Sequence, residues 1–142
     1  MKEPKNAELM RRVDANEPAA LYEYAESIRD SNPIEARKYT LFAAQLGLPL
    51  AMESMGDYCL AEGDADGASH YYRSGAKAGL MSCTVKRAML NIKLNNNERL
   101  ALLELEELAM MGVQSACMAL SDYYLTQGNE RESEYWRNKL TK

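Results

Sequence analysis

Apolar and small residues recur at three- and four-residue steps along most of the chain. In residues 18–29 these positions are Ala20, Leu21, Tyr24, Ala25 and Ile28. This spacing places them on one face of an amphipathic α-helix. Alternating β-branched runs, which would indicate strands, are missing from the sequence. The pattern therefore predicts nine helices, at about residues 6–14, 17–30, 34–46, 49–61, 65–77, 81–94, 97–110, 114–127 and 130–140.

A degenerate repeat of small residues organises these helices. A glycine or asparagine is followed after four residues by one small residue and after five more by another. The four copies are Asn16/Ala20/Ala25, Gly47/Ala51/Gly56, Gly79/Cys83/Ala88 and Gly112/Ala116/Ser121. Their leading residues are 31, 32 and 33 positions apart. Self-similarity at this period indicates stacked helix-turn-helix units, each of which buries its apolar face against its neighbours.

The turns between the paired helices follow the same repeat. Sixteen residues after the leading positions stand Asn32, Gly63, Asn95 and Gly128. Glycine and asparagine adopt the left-handed conformation with least strain, so we expect four matching helix ends. The next small residues are Ala36, Ala68, Ala101 and Ser133. The loop before them changes length between repeats, which accounts for the unequal period.

The residues between these turns resemble two related repeat families. A tetratricopeptide-like spacing is found in Met52-x2-Met55-Gly56-x2-Cys59 with Gly63-Asp64, Ala68, Tyr71-Tyr72 and Gly75, and its first half returns in Cys117-x2-Leu120-Ser121-x2-Tyr124. The junctions resemble Sel1-like repeats, in Ala43-Ala44-Gln45-Leu46-Gly47 and Gly75-Ala76-Lys77-Ala78-Gly79, and Trp136 matches the aromatic residue of that family's second helix.

The resemblance covers residues 16–142 and implies an all-α fold. It predicts a right-handed α-solenoid of about four helix-turn-helix repeats behind an N-terminal capping helix at 1–14. The repeats would span about 16–46, 47–78, 79–111 and 112–142, and together they would form one domain over residues 1–142.

The third repeat departs from the pattern. Arg87 and Asn91 stand at positions that are apolar or aromatic in the other repeats, and Glu104 replaces an aromatic residue. We therefore expect its helices to pack at a shifted angle or to rotate slightly. Such a change would bring Leu90, Leu103 and Leu108 inward.

Charge and hydropathy exclude several classes of partner. Seventeen basic and twenty-one acidic residues give a net charge of −4 with no basic stripe, so nucleic-acid binding is not expected. The N-terminal residues do not resemble a signal peptide, and no apolar run approaches the ~20 residues that span a bilayer. The sequence thus predicts a cytoplasmic protein without membrane association.

The residues offer little catalytic chemistry. His70, the single histidine, is predicted to face solvent. Cys59, Cys83 and Cys117 lie on predicted buried faces, form no CxxC pair and lack metal-ligand spacing, which favours structural thiols in a reducing compartment. We therefore predict a protein that is not an enzyme and that uses neither a metal nor a cofactor.

The family resemblance also implies a binding surface, because the first helix of each repeat lines the concave face. The corresponding residues are Tyr22, Glu26, Arg29, Glu53, Asp57, Leu60, Val85, Met89, Ile92, Met118, Asp122 and Leu125. Three equivalent positions are acidic, at Glu26, Asp57 and Asp122, and the flanking positions are largely apolar. Such a groove suits a basic amphipathic helix or an extended peptide. Alternatively, some apolar members, Val85 and Ile92 above all, pack against neighbouring helices.

The predicted function is that of a non-catalytic protein-interaction module, which binds a peptide or protein surface through the concave face. Buried apolar side chains would supply affinity, and the acidic row would set orientation and association rate. The alternative is a structural role. In that case the chain self-associates into a homo-oligomeric scaffold, or acts as a tight-binding inhibitor of the immunity type.

Overall fold

The computed structural model describes residues 4–140, and every regular element within that range is an α-helix. The helices are α1 (Pro4–Asp14), α2 (Pro18–Ser27), α3 (Pro33–Gln45), α4 (Pro49–Ala61), α5 (Ala65–Lys77), α6 (Met81–Lys93), α7 (Glu98–Met110), α8 (Gln114–Thr126) and α9 (Glu130–Lys139). The all-α prediction is confirmed, and the predicted helix ends are correct to within three residues. The predicted capping helix and fourth repeat extend beyond the described range at residues 1–3 and 141–142. Within residues 4–140, no helix is long and apolar enough to cross a membrane.

Seven of the eight turns between the described helices close in the same way. In each of these turns, a backbone amide just after the helix donates a hydrogen bond to the carbonyl five residues earlier, as from Leu48 to Ala43 at 3.1 Å and from Val113 to Leu108 at 3.0 Å. The residue before the donor has a positive φ, for example 99° at Gly47. This is the Schellman closure of a helix C-terminus, which satisfies carbonyl groups that the helix leaves free. The leading glycines of the repeat are therefore helix-ending residues.

The turn between α2 and α3 is the exception, and the expected left-handed Asn32 is wrong. Asn32 has a φ of −146° and its side chain accepts a hydrogen bond from the Glu35 amide at 3.3 Å. It therefore caps the N-terminus of α3. Pro33 follows directly, and a residue before proline is restricted to extended conformations. The proline thus explains why this asparagine begins a helix instead of ending one.

Small residues of the repeat form the centre of the packing. All three small positions are buried in every copy, from Ala20, Ala51, Cys83 and Ala116 at the first position to Ala36, Ala68, Ala101 and Ser133 in the second helices. Small side chains let two helix backbones approach closely while larger neighbours fill the flanking grooves. The burial of these positions confirms the part of the sequence prediction that concerns the core.

The contacts divide the chain into two compact units, Met1–Leu80 and Met81–Lys142. In the first unit, consecutive helices from α1 to α5 pack against one another. In the second unit, α6 to α9 do the same, and α6 also contacts α8. Each unit has a core cluster, one around Leu21 and Met55, the other around Leu105 and Leu120.

In the third repeat, an ion pair joins two of the unexpected charged residues. Arg87 Nη2 lies 3.0 Å from Glu104 Oε2, and both side chains are half-buried. The equivalent residues of the first repeat, Tyr24 and Tyr39, pack edge to face with ring centroids 5.0 Å apart. The two unexpected charges therefore pair at the positions that two aromatic rings occupy in the first repeat.

The expected inward movement in this repeat is correct for some leucines and wrong for one. Leu90 is buried, and Leu108 packs against the core of the second unit. Leu103 is 49% exposed. Since Ala101 and Leu105 already face inward on α7, a residue two positions from each of them points to the opposite side.

Candidate protein-binding groove

A groove lies between α6 and α8 in the second unit. It has a volume of about 210 Å³ and its lining residues are Met89, Ile92, Lys93, Leu105, Ala119, Asp122, Tyr123 and Thr126. We refer to it as the α6–α8 groove. Leu105 and Ala119 are buried and form its floor, whereas the lysine and the aspartate are exposed at its edges. The small side chain of Ala119 leaves the space between the two helices open.

Helical spacing explains which side chains border the groove. Met89, Ile92 and Lys93 follow one another at steps of three and one on α6, so they share a face. Asp122 and Thr126, four residues apart, do the same on α8. The groove therefore brings together three of the predicted binding residues, which are Met89, Ile92 and Asp122.

Further predicted residues extend the apolar surface of the same helices. Met118 is 54% exposed and Leu125 is 51% exposed, both on α8, and Met89 is also exposed on α6. Methionine is flexible and polarizable, so it fits partners of different shape. An apolar, adaptable surface thus adjoins the groove within the second unit.

The charged groups at the groove are available to a partner. Asp122 and Lys93 are exposed, and within the described residues no ion pair engages either of them. Tyr123, in contrast, donates from its hydroxyl to Glu98 Oε2 at 2.9 Å and so connects α8 to the start of α7. Burial, and secondly the bond to the Glu98 carboxylate, raise the pKa of Tyr123. Its ring is therefore a fixed wall of the groove.

Val85 is not part of the surface. It is 2% exposed and belongs to the core cluster of the second unit. Because α6 packs against both α7 and α8, this position is covered, and the prediction of Val85 as a binding residue is corrected. Ile92 is half-buried, packs against the same core and lines the groove as well.

In the first unit the predicted residues lie on α2 and α4, except for Arg29, which follows α2, and most of their polar groups already have partners. The hydroxyls of Tyr22 and Ser54 share a hydrogen bond of 3.0 Å that joins the two helices. Glu26 pairs with Arg29 at 3.4 Å, and the Arg29 guanidinium lies 5.6 Å from the centre of the Tyr58 ring. The hydrogen bond of Tyr22 and the contact of Arg29 with Tyr58 therefore link the α2 segment to α4.

Asp57 also has an internal role. It accepts a hydrogen bond of 2.5 Å from the hydroxyl of Tyr72, a fully buried residue of α5. Glu53, on the same helix, is half-buried, and Leu60 is exposed. The predicted acidic row is thus partly used within the protein, at Glu26 and Asp57.

Sequence reasoning missed several lining residues, namely Lys93, Leu105, Ala119, Tyr123 and Thr126. Two of them carried a usable signal, because Lys93 follows Met89 by four residues and Thr126 follows Asp122 by four. Leu105 belongs to the second helix of its repeat, so a search confined to first helices does not reach it.

His70 and the cysteines occupy the environments that the sequence predicts. His70 is exposed and borders a cleft of about 280 Å³ together with Met52, Tyr71 and Ser74. The Ser74 hydroxyl donates to the backbone carbonyl of His70 at 3.1 Å and not to its imidazole. The three cysteines are buried, and burial raises the pKa of the Cys59 thiol, which lowers its reactivity. Within residues 4–140, no three His, Cys, Asp or Glu side chains gather as metal ligands.

Comparison of the chain with models of known protein families, with curated proteins and with solved structures found no match. The Sel1-like and tetratricopeptide-like resemblance therefore stays a prediction that depends on residue spacing.

Proposed function

We propose that this chain is a non-catalytic protein-interaction module, built as a Sel1-like or tetratricopeptide-like α-solenoid, which binds an amphipathic peptide segment in the α6–α8 groove. The observation that carries the proposal is the exposed apolar surface around that groove, formed by Met89, Met118 and Leu125 beside Asp122. The groove has a volume of about 210 Å³, which is below the ~300–1,000 Å³ typical of small-molecule sites. This size favours the side chains of a peptide as the ligand.

The binding mode follows from the lining. Apolar side chains spaced along one face of the peptide would bury against Met89 and Ile92 and contact Leu105 at the floor. Burial of such anchors supplies most of the affinity of an interface. A basic residue of the peptide would face Asp122, and this contact would set orientation and association rate. The polar groups on α2 and α4 bond to one another, so we assign them a smaller part in binding.

The same proposal includes the compartment and the class of partner. Three buried thiols that form no disulfide suit the reducing cytoplasm. A net charge of −4 favours a basic protein segment over nucleic acid as the partner.

Selection from a library of displayed helical peptides tests this function. We expect the selected peptides to share apolar residues at helical spacing and at least one basic residue. Changing Asp122→Lys, or Met118→Glu, should weaken binding of a selected peptide about tenfold or more, measured by fluorescence anisotropy. Asp122 is a better target than Asp57, because Asp57→Lys would also break the hydrogen bond to buried Tyr72.

The matched control is Glu134→Lys, which makes a comparable change of charge at an exposed position on α9, outside the groove lining. It should leave the affinity unchanged. The groove would be excluded as the binding site if no peptide were enriched. It would also be excluded if the Asp122→Lys and Met118→Glu variants bound a selected peptide as tightly as the wild type does.

A further inference from the structure

Helix α7 has two apolar faces. Its inner face, with Ala101, Leu105 and Ala109, is buried in the core. Its outer face carries the residues that we name the α7 stripe, which are Leu100, Leu103, Glu107, Met110 and Met111. Successive members are three or four residues apart, apart from the adjacent final pair, so they form one continuous surface along the helix. Met110 and Met111 are 65% and 68% exposed.

The repeat does not require this outer face to be apolar. Three stripe positions can be compared with the other second helices, α3, α5 and α9. The equivalents of Leu100 are Glu35, Gly67 and Glu132, those of Leu103 are Lys38, His70 and Tyr135, and those of Met110 are Gln45 in α3 and Lys77 in α5. Seven of these eight residues are polar, charged or glycine, and the eighth is tyrosine. A large exposed apolar surface at positions that are mostly polar in the sister helices indicates an interaction site.

The charges of Arg99, beside the stripe, and Glu107, within it, are self-complementary. Arg99, Leu103 and Glu107 form a row at four-residue steps, with opposite charges at equal distances from the leucine. Both charged residues are exposed, and in the part of the chain that the structure describes neither forms an ion pair. A half-turn about an axis through Leu103 places Arg99 of one row against Glu107 of the other.

We infer that two copies of this chain associate through the α7 stripe as an antiparallel, two-fold symmetric pair. Leu103 packs against Leu103 of the second copy, and Arg99 pairs with Glu107 twice, once on each side of the axis. Rows of side chains at four-residue steps are the ridges that interdigitate in the commonest helix packing. A two-fold interface uses the same surface of both copies, so it requires this self-complementarity.

The stripe limits the strength of the pair. From Leu100 to Met111 it extends over about 16 Å at 1.5 Å per residue. One helix pair of this length buries less than the ~800 Å² per partner of a standard interface. We therefore expect a reversible dimer with micromolar affinity. The inference goes beyond peptide binding, because the stripe lies on α7 and involves no residue that lines the α6–α8 groove.

Charge reversal combined with sedimentation equilibrium tests the pair. The wild-type chain should show a monomer–dimer equilibrium between low-micromolar and near-millimolar concentration. Arg99→Glu and Glu107→Arg should each raise the dissociation constant about tenfold or more, because each change places like charges opposite one another at two points. The double variant Arg99→Glu/Glu107→Arg should regain the wild-type constant.

Mixing the two single variants gives a sharper test. One chain then carries acidic residues at positions 99 and 107 and the other carries basic residues at both. The equimolar mixture should dimerise at least as well as wild type, although each variant alone is largely monomeric. Two controls should dimerise like wild type: Arg131→Glu, at an exposed position of α9, and Asp122→Lys in the groove. Circular dichroism checks that each variant is folded.

Three results would overturn the inference. The first is a wild-type chain that stays monomeric over the whole range. The second is dimerisation that neither single reversal weakens. The third is a double variant, or a mixture of the two single variants, that dimerises no better than the single variants alone.

Discussion

Gly56 on α4 lies directly against the Tyr72 ring of α5. A Cβ atom at this position would lie 2.5 Å from Cε1 of the Tyr72 ring, which is fully buried. The equivalent pairs in the other repeats are Ala25 with Thr40, Ala88 with Leu105 and Ser121 with Arg137. The glycine thus stands in the repeat whose facing residue is aromatic, which is true of none of the other three.

Replacing Gly56→Ala should lower the free energy of unfolding by about 1–3 kcal/mol, because the new methyl group overlaps a buried ring. The sign is diagnostic, since Gly→Ala within an unstrained helix normally stabilises by about 1 kcal/mol. Urea denaturation followed by circular dichroism measures the change. An increased midpoint would mean that the ring has room to move.

The double variant Gly56→Ala/Tyr72→Leu is the matched control, because it reproduces the Ala88 and Leu105 combination of the third repeat. It should recover part of the lost stability. Full recovery is not expected, since the hydrogen bond from Tyr72 to Asp57 is also removed.

At the scale of residues, the sequence predicts burial well where a small side chain recurs in every repeat. It fails where a neighbour decides the outcome. Asn32 has the residue type of a helix end, but Pro33 restricts its backbone. Val85 matches a surface position by repeat spacing, yet two helices of its own unit cover it.

Between elements, the ion pair of Arg87 and Glu104 joins α6 to α7 where other repeats use apolar residues. Each departure from the pattern was visible in the sequence. The contact between Arg87 and Glu104 could also be inferred, because the equivalent residues of the first repeat, Tyr24 and Tyr39, pack against each other.

Removing one partner of this pair should destabilise the protein. Arg87→Met leaves a half-buried carboxylate without its partner, at an expected cost of about 0.5–1.5 kcal/mol. The double variant Arg87→Met/Glu104→Tyr reproduces the combination of Met55 and Tyr71 in the second repeat. It should be at least as stable as wild type, since apolar residues often replace such pairs without loss. If the double variant unfolded at a lower temperature than Arg87→Met, the idea that the ion pair replaces an apolar contact would be contradicted.

For the whole molecule, the sequence predicts one domain, whereas the contacts form two compact units. Trp136 distinguishes one cooperative domain from two independent units. It is the single tryptophan, lies in the second unit and is buried. Its fluorescence therefore reports the unfolding of that unit, while far-ultraviolet circular dichroism reports the helices of both.

If residues 1–142 form one cooperative domain, the two signals should change at the same urea concentration. We expect this result for a chain of about four repeats, because short repeat arrays unfold together through their interfaces. Different midpoints would mean that each compact unit unfolds independently.

The candidate groove was predictable in part. Repeat spacing identified Met89, Ile92 and Asp122, since each occupies a first-helix position. The floor was not predictable, because the position of Leu105 depends on how α7 packs beneath α6 and α8. Of the α7 stripe, the departures from the repeat pattern single out only Leu103, and they predict that this residue faces inward.

The three buried thiols can serve as natural probes of the local opening of their helices. Cys59, Cys83 and Cys117 lie one each on α4, α6 and α8, the first helices of three successive repeats. A thiol reagent reaches a buried cysteine only when its helix opens, so the rate of modification under native conditions gives the free energy of that opening. Quantifying each labelled peptide by mass spectrometry would therefore compare the stability of three repeats in one unaltered protein.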